Sequence, residues 1–450
     1  MMFLHEEIYL LEYEKSSNKK LFYAPIRGYA ELIDQQDAEV IEQGNIFSME
    51  DLDKNDNVRK LIQGLRKIPL KDLDIMQKGF PILNIDFSNG CNMKCIYCYA
   101  DRGEGSIKYQ KKENIDLIIS AYFNYLQQQA NFLENEVCYI TFSNNAEPTF
   151  SPDLLIYTVE KIRETALRYG LKPLFSMPTN GAFVSDIRSF IIKNFDRISL
   201  SFDGLESIQN EHRPFSDGSP SYEIVYQNAK VLYNSGIKIG FNVVVTAKNL
   251  NSLKNTVDYF HQNFSGTEIS FSPVNLAGRA LKEQRNLMID HSLFQSRLIE
   301  AIDYAKETSI KILDKDMQNY HIPRRHYCTS TARPNWNVNL KGEIFACMES
   351  KIEAMKIGEI NFNTHELRLC YDNIQALKAY SVAQNGKCIN CFAKYLCAGG
   401  CKVRNEKTSK NCNDIRLKCL HLINQVYEEE QWFSKGQTLF KIERGRGVRR

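Results

Sequence analysis

Along residues 81–274, short apolar runs alternate with longer stretches in which apolar residues recur every three to four positions. The short runs, 83–87, 137–142, 174–178, 198–202, 239–245 and 269–274, are rich in Ile, Val, Leu and Phe and too brief for helices, so they read as strands. The stretches between them, at 115–132, 153–169, 185–195, 222–233 and 253–264, carry the helical period. Repeated strand–helix units make successive strands parallel, and six of them predict an α/β fold, an incomplete (β/α)6 barrel rather than a closed eight-stranded one. In such barrels chemistry gathers where strands end and loops begin.

The chain on either side reads differently. Residues 8–13 and 21–23 flank a polar turn and predict a hairpin, followed by helices over 29–42 and 58–66, a small α+β module. After the barrel, 275–327 shows helical pattern, many Lys and Arg, and no evident chemistry. A hairpin turning at Lys341-Gly342 follows, and a last helix opens at Cys419 and runs to about Trp432. The expected divisions are 1–79 (N-terminal module), 80–290 (barrel), 291–325 (bridge), 326–432 (cysteine-rich domain) and 433–450 (tail). The tail's Arg444-Gly-Arg-Gly-Val-Arg-Arg450 is basic and reads as solvated chain.

Composition narrows the setting. Of 450 residues, 43% are apolar and 25% charged, as in globular proteins, and a net charge of +3 argues against nucleic acid or a membrane surface as partner. Glu6, Glu7, Glu12 and Glu14 interrupt the first fifteen residues, so these form neither a secretory signal nor a membrane span. The expected location is cytoplasmic. Thirteen cysteines in a reducing compartment point to metal ligation rather than disulfides. Cys138 and Cys370 stand apart from the others and read as small buried hydrophobes.

Directly after the first strand comes Cys91-Asn-Met-Lys-Cys95-Ile-Tyr97-Cys98, a C-x3-C-x2-C run. A structural zinc site closes with four ligands, whereas three thiolates can hold a [4Fe–4S] cluster and leave one iron open. The segment resembles the signature of the radical S-adenosylmethionine (SAM) enzymes. That resemblance implies SAM at a cluster on Cys91, Cys95 and Cys98, with Tyr97 beside it. It also implies Glu147 accepting from the SAM amino group, in Ser143-Asn144-Asn145-Ala146-Glu147-Pro148, where relatives carry Gly-Gly-Glu-Pro; Asn145 and Ala146 depart from that pattern. Asn180, in Thr179-Asn180-Gly181, matches a family turn. Ser201 and Asp203, in Ser-x-Asp-Gly, match positions that reach the ribose, and Arg213 one near the SAM carboxylate. Asn242, on the fifth strand, is placed to point inward.

Cys328, Gly342 and Cys347 fit C-x13-G-x4-C, and Cys388, Cys391, Cys397 and Cys401 fit C-x2-C-x5-C-x3-C, with Cys419 beyond. Zinc is the competing account of such pairs. The ordered set resembles the SPASM extension, which carries two auxiliary iron–sulfur clusters. The resemblance implies one cluster on Cys328, Cys347 and Cys401, completed by Cys412, a non-cysteine ligand or an open iron, and another on Cys388, Cys391, Cys397 and Cys419. Gly399 and Gly400 let the main chain turn its N–H groups toward cluster sulfurs.

The combination resembles ribosomal-peptide maturases and, less closely, anaerobic sulfatase-maturing enzymes. It implies a precursor peptide whose leader is gripped by the N-terminal module, an electron donor such as flavodoxin or ferredoxin, and an oxidative C–C, ether or thioether crosslink as product. Sulfatase-maturing relatives place an aspartate base directly after the G-x4-C cysteine; here Met348 follows Cys347, and Glu349 is the base candidate. A non-catalytic cluster protein that binds peptides is the reading from another class.

Overall fold

The computed structural model describes residues 2–4, 7–43, 55–103, 105–142, 146–314, 322–405 and 412–434. Thus Ser143, Asn144 and Asn145, and the tail from 435, lie outside the described residues. The N-terminal sheet is antiparallel, β1 (Met2–Leu4), β2 (Ile8–Glu12), β3 (Lys19–Ala24) and β4 (Tyr29–Asp34), in that order. The helix expected over 29–42 begins only with α1 (Gln35–Gln43): Tyr29 to Asp34 pair residue by residue with β3 instead. Ladder pairing and burial on two faces outweigh the local helical pattern there.

That sheet is covered on both sides, which explains its unbroken apolar runs. Ile8, Leu10, Phe22 and Ile33 face α1 and α2 (Asp56–Lys67), an amphipathic helix capped by the Asn55 side chain. Tyr9, Leu11, Leu21 and Tyr23 face the other way, against Phe392, Leu396, Ile423 and Tyr427 of the cysteine-rich region.

The large sheet is parallel-rich, as the strand–helix alternation requires. Its core is β5 (Leu83–Ile85), β6 (Val137–Thr141), β7 (Lys172–Thr179), β8 (Arg197–Ser201), β9 (Lys238–Val245) and β10 (Glu268–Pro273), each parallel to the next. Helices α3 (Lys112–Gln127), α4 (Pro152–Arg168), α5 (Ser185–Asn194), α6 (Glu206–His212), α7 (Tyr222–Asn234) and α8 (Leu253–Asn263) connect them. Along β8 buried and half-buried residues alternate, so Ile198 and Leu200 enter the core while Ser199 and Ser201 face the other side. Phe241 stacks into that core with its ring 4.4 Å from Phe260 and 4.8 Å from Phe264.

Beyond the six expected strands the sheet continues at both ends. At one edge β11 (Lys311–Ile312) pairs parallel with β10; at the other β12 (Trp336–Val338) pairs parallel with β5. Antiparallel β13 (Glu343–Phe345), β14 (Lys356–Asn361) and β15 (Glu366–Leu369) follow, giving eleven strands. The hairpin at Gly342 (φ +86°) needs glycine: a Cβ there would lie 2.2 Å from the Ile360 carbonyl oxygen. Between these parts run α9 (Arg279–Lys282) and α10 (His291–Ala305), and the last helix, α11 (Cys412–Ser434), starts seven residues before Cys419. Among the described residues, no helix is long and apolar enough to cross a membrane.

Candidate functional site

The loop after β5 carries the first three thiols, and the barrel holds it from the side. Lys94 N–H donates to Pro214 O (2.9 Å), Ile96 N–H to His212 O (3.0 Å) and Ser216 N–H to Asn92 O (3.0 Å). Gly103 (φ +92°) folds the loop end back so closely that a Cβ would meet Met93 O at 2.2 Å. Cys91, Cys95 and Cys98 are half-buried. Burial pushes the Cys95 thiol up to about 11 against the pull of Arg213, and Cys98 raises it further; burial, Glu147, Cys95 and Cys98 all raise Cys91. Three thiols that resist one another's ionisation are in electrostatic reach of one another. Donors point at their sulfurs: Met93 N–H and Asn180 Nδ2 at Cys91 (3.5 and 3.9 Å) and Arg102 N–H at Cys98 (3.4 Å). Such N–H groups stabilise thiolates, so these residues fit an iron–sulfur cluster.

Asp203 is the hub behind this loop. Fully buried, it accepts from Tyr97 Oη (2.8 Å), Arg213 Nε (3.0 Å) and Val244 N–H (2.9 Å), and His212 Nδ1 lies 3.1 Å away. Burial alone would raise its carboxyl; Arg213 and His212 more than reverse that and hold it well below the usual range. Arg213 also lies over the Tyr97 ring, 5.1 Å from its centroid. Asp203, expected at the ribose, thus spends its oxygens on the protein, and Arg213, expected at a carboxylate ligand, is paired with Asp203. Two desolvated charges in low dielectric neutralise each other first.

Glu147 is organised similarly. Its Oε1 accepts from Thr149 N–H and Oγ1 (3.1 and 2.7 Å) and Thr179 Oγ1 (2.7 Å), and its Oε2 from Asn180 N–H (2.7 Å). Burial raises its pKa despite these donors. Asn180 Nδ2 donates to Asn92 Oδ1 (2.7 Å), so Glu147, Asn180 and the cysteine loop meet. Ser201 is half-buried at the end of β8. Asn242 donates to Ser199 Oγ (2.8 Å) and does not join this group.

The second thiol group gathers Cys328, Cys347 and Cys401. Burial pushes the Cys347 thiol to about 11, with Cys328 and Cys401 adding to it and the Glu349 N–H opposing. All three line a 750 Å³ cavity that also takes in Phe271, Phe294 and Glu349. Burial first, and then Glu349, Cys98, Asp86 and Cys347, raise the Tyr99 phenol, so Tyr99 is within electrostatic reach of both thiol groups.

The third group gathers Cys388 and Cys391, with Cys412 in electrostatic reach. Burial, Cys391 and Cys412 raise Cys388, and the Arg416 side chain bonds Cys391. Cys412 opens α11. Cys419 is buried among the apolar residues shared with the N-terminal sheet, and Cys391 and Cys397 pack against the same residues. Cys138 is a core residue. Among the described residues no three His, Cys, Asp or Glu converge on a single-ion site, and a cluster in which each thiolate takes its own iron asks for wider spacing.

Sequence reading missed three residues here. His212 spans Asp203 and Thr246 Oγ1 (3.1 Å). Gly278 and Arg279, in the stretch read as without chemistry, lie against the cysteine loop; their position just past the end of β10 was the available signal.

This fold and loop define a radical SAM domain: the Radical SAM superfamily model matches residues 85–260, and the cysteine-rich remainder is consistent with SPASM. The family uses SAM and a [4Fe–4S] cluster. An uncharacterized protein of Methanocaldococcus jannaschii is 28% identical over 60% of this chain and 86% of its own length. A serine-type anaerobic sulfatase-maturating enzyme of Klebsiella aerogenes is 23% identical over 77% of this chain and 85% of its own length. The solved structure of native anSMEcpe with bound AdoMet superposes with a TM-score of 0.61 at 18% identity, covering 77% of this chain and 99% of that one. The chain thus carries a radical SAM domain and is homologous to anaerobic sulfatase-maturating enzymes.

Proposed function

We propose that this enzyme matures a ribosomally made precursor peptide, joining two of its atoms by an oxidative C–C, ether or thioether crosslink. The observation carrying this reading is the 750 Å³ cavity walled by Cys328, Cys347, Cys401 and Glu349, with Glu349 also in electrostatic reach of Tyr99 on the first loop. The solved structure of native anSMEcpe with bound AdoMet and Kp18Cys peptide shares this fold, which supports a peptide here.

In this reading Cys91, Cys95 and Cys98 hold the SAM-binding [4Fe–4S] cluster. SAM at that cluster, reduced by a donor such as flavodoxin or ferredoxin, supplies a 5′-deoxyadenosyl radical that takes a hydrogen atom from the substrate. Glu147, fixed by Thr149, Thr179 and Asn180, receives the SAM amino group. Ser201 and Asn180 line the same side, while Tyr97, Asp203 and Arg213 keep the loop in register from behind. Cys328, Cys347 and Cys401 hold one auxiliary cluster, and Cys388, Cys391, Cys397 and Cys419 the other. Glu349, on the cavity wall, would take the proton lost when the new bond forms, and the auxiliary cluster on the same wall would accept the remaining electron. The N-terminal module, docked on the cysteine-rich region, would grip the leader.

The sulfatase-maturating relatives support a second reading, formylglycine formation on a Ser or Cys. Met348 in place of an acid after Cys347 speaks for the first. Anaerobic incubation of the reconstituted enzyme with SAM, a strong reductant and short peptides encoded beside its gene separates them by mass spectrometry. Loss of two hydrogens with 5′-deoxyadenosine production is expected from the crosslink, and an aldehyde that labels with hydrazide from formylglycine. Absence of 5′-deoxyadenosine under every peptide overturns both.

A further inference from the structure

The segment after β10 packs directly against the cysteine loop. At Gly278 (φ +56°) the chain runs so near Cys98 and Tyr99 that a Cβ would meet their carbonyl oxygens at 2.6 and 2.4 Å. Arg279 then takes up the loop's carbonyl groups. Its own N–H donates to Cys98 O (2.9 Å), Nη1 to Cys95 O (2.7 Å) and Nη2 to Arg102 O (2.6 Å), and Nη2 pairs with Asp101 Oδ1 at 3.2 Å. The side chain is 9% exposed. Asp101 holds a left-handed backbone (φ +52°), which a non-glycine residue keeps only where its surroundings fix it. A planar guanidinium with several donors is suited to bind diverging carbonyls at once; a lysine is not. Ala280 and Leu287 pack with Tyr97, so the clamp is backed by apolar contact.

The geometry points to Arg279 as a positioning residue: it locks the backbone of residues 95–102 into the conformation that presents Cys95 and Cys98, and places a fixed positive charge behind their sulfurs. This rests on the first thiol loop holding a cluster, as proposed above, for the charge, but not for the lock. The positive charge favours the more reduced cluster state and so raises its potential.

The test uses the full chain, before and after anaerobic reconstitution, as wild type, Arg279→Gln, Arg279→Lys and Gly278→Ala. Hydrogen exchange before reconstitution should show the amides of 95–102 exchanging about tenfold faster or more in Arg279→Gln, with α8 unchanged. After reconstitution, first-loop iron is the difference between each protein and the same protein carrying Cys91/Cys95/Cys98→Ala. In Arg279→Gln that iron should be lost faster to a chelator and the cluster's midpoint potential should fall; Arg279→Lys should restore the potential but not the exchange protection. Unchanged exchange in both Arg279→Gln and Gly278→Ala overturns the clamp. If Arg279→Gln loosens α8 too, Gly278→Ala decides: faster exchange confined to the loop upholds the clamp, and unchanged exchange overturns it. Wild type lacking first-loop iron sinks the cluster assignment while exchange still decides the lock.

Discussion

The loop bearing Cys91, Cys95 and Cys98 and the segment bearing Cys388, Cys391 and Cys397 present thiols at similar spacing on opposite plans. The first hangs from the end of β5 and is gripped by polar groups of other strand ends: Asp203 through Tyr97, His212 and Pro214 through main chain, Arg279 through carbonyls. The second lies on short turns and is held mainly by apolar packing of Phe392 and Leu396 on the N-terminal sheet and α11, with Lys394 tying it to Glu7 and to Ile389 O. Polar groups converging from several elements fix orientation as well as position. The site expected to start the chemistry is the one tied by polar groups from more separate elements.

The comparison breaks most completely at the thiols themselves. Cys91/Cys95/Cys98→Ala is expected to abolish SAM cleavage while leaving iron in the C-terminal sets, by 5′-deoxyadenosine assay and iron analysis. Next comes Asp203→Ala, which strands Arg213, His212 and Tyr97 in a dry core. It should cost about 3–5 kcal/mol in a denaturant titration, and a change under 1 kcal/mol, well below that figure, would show the hub to be dispensable. Leu11→Ala, on the apolar side, should cost about 2–5 kcal/mol and loosen the Cys388–Cys397 turns as well, detectable by exchange there.

The pH response sharpens the contrast further. Asp203 is held below its ordinary value near 3.9, so its ion pair contributes fully above about pH 4 and is lost only as the pH falls toward its lowered value. The gap in Tm between wild type and Asp203→Asn should thus narrow as acid is added below about pH 4; a widening gap contradicts the assignment. Smallest of all, Cys412→Ala should leave the C-terminal iron unchanged, because Cys388, Cys391, Cys397 and Cys419 already supply the four proposed ligands.

Much of this was legible in the residues. Short apolar runs located β5 to β10, the 3.6-residue period located the helices between them other than α6, and cysteine spacing located the thiol groups. What stayed hidden depends on long-range pairing. Tyr29 to Asp34 carry a helical pattern, yet β3 offers them a ladder and two apolar surfaces. Asp203 and Arg213 were each read as reaching a different part of SAM, the ribose and the carboxylate, and only the buried contact shows that they pair with each other. Arg279 follows a strand end nearly two hundred residues from the carbonyls it binds, a distance at which spacing carries no information.

The two-sided N-terminal sheet has a consequence for how the protein is made. Tyr9, Leu11, Leu21 and Tyr23 need Ile423 and Tyr427 to cover them, and those residues leave the ribosome long afterwards. Until then the nascent chain carries an uncovered apolar face, a surface that chaperones recognise and that invites aggregation. Losing the final helix would thus return the first sheet to its half-made state, and full-length yield should depend on chaperone supply more than the barrel's short-range connections would imply.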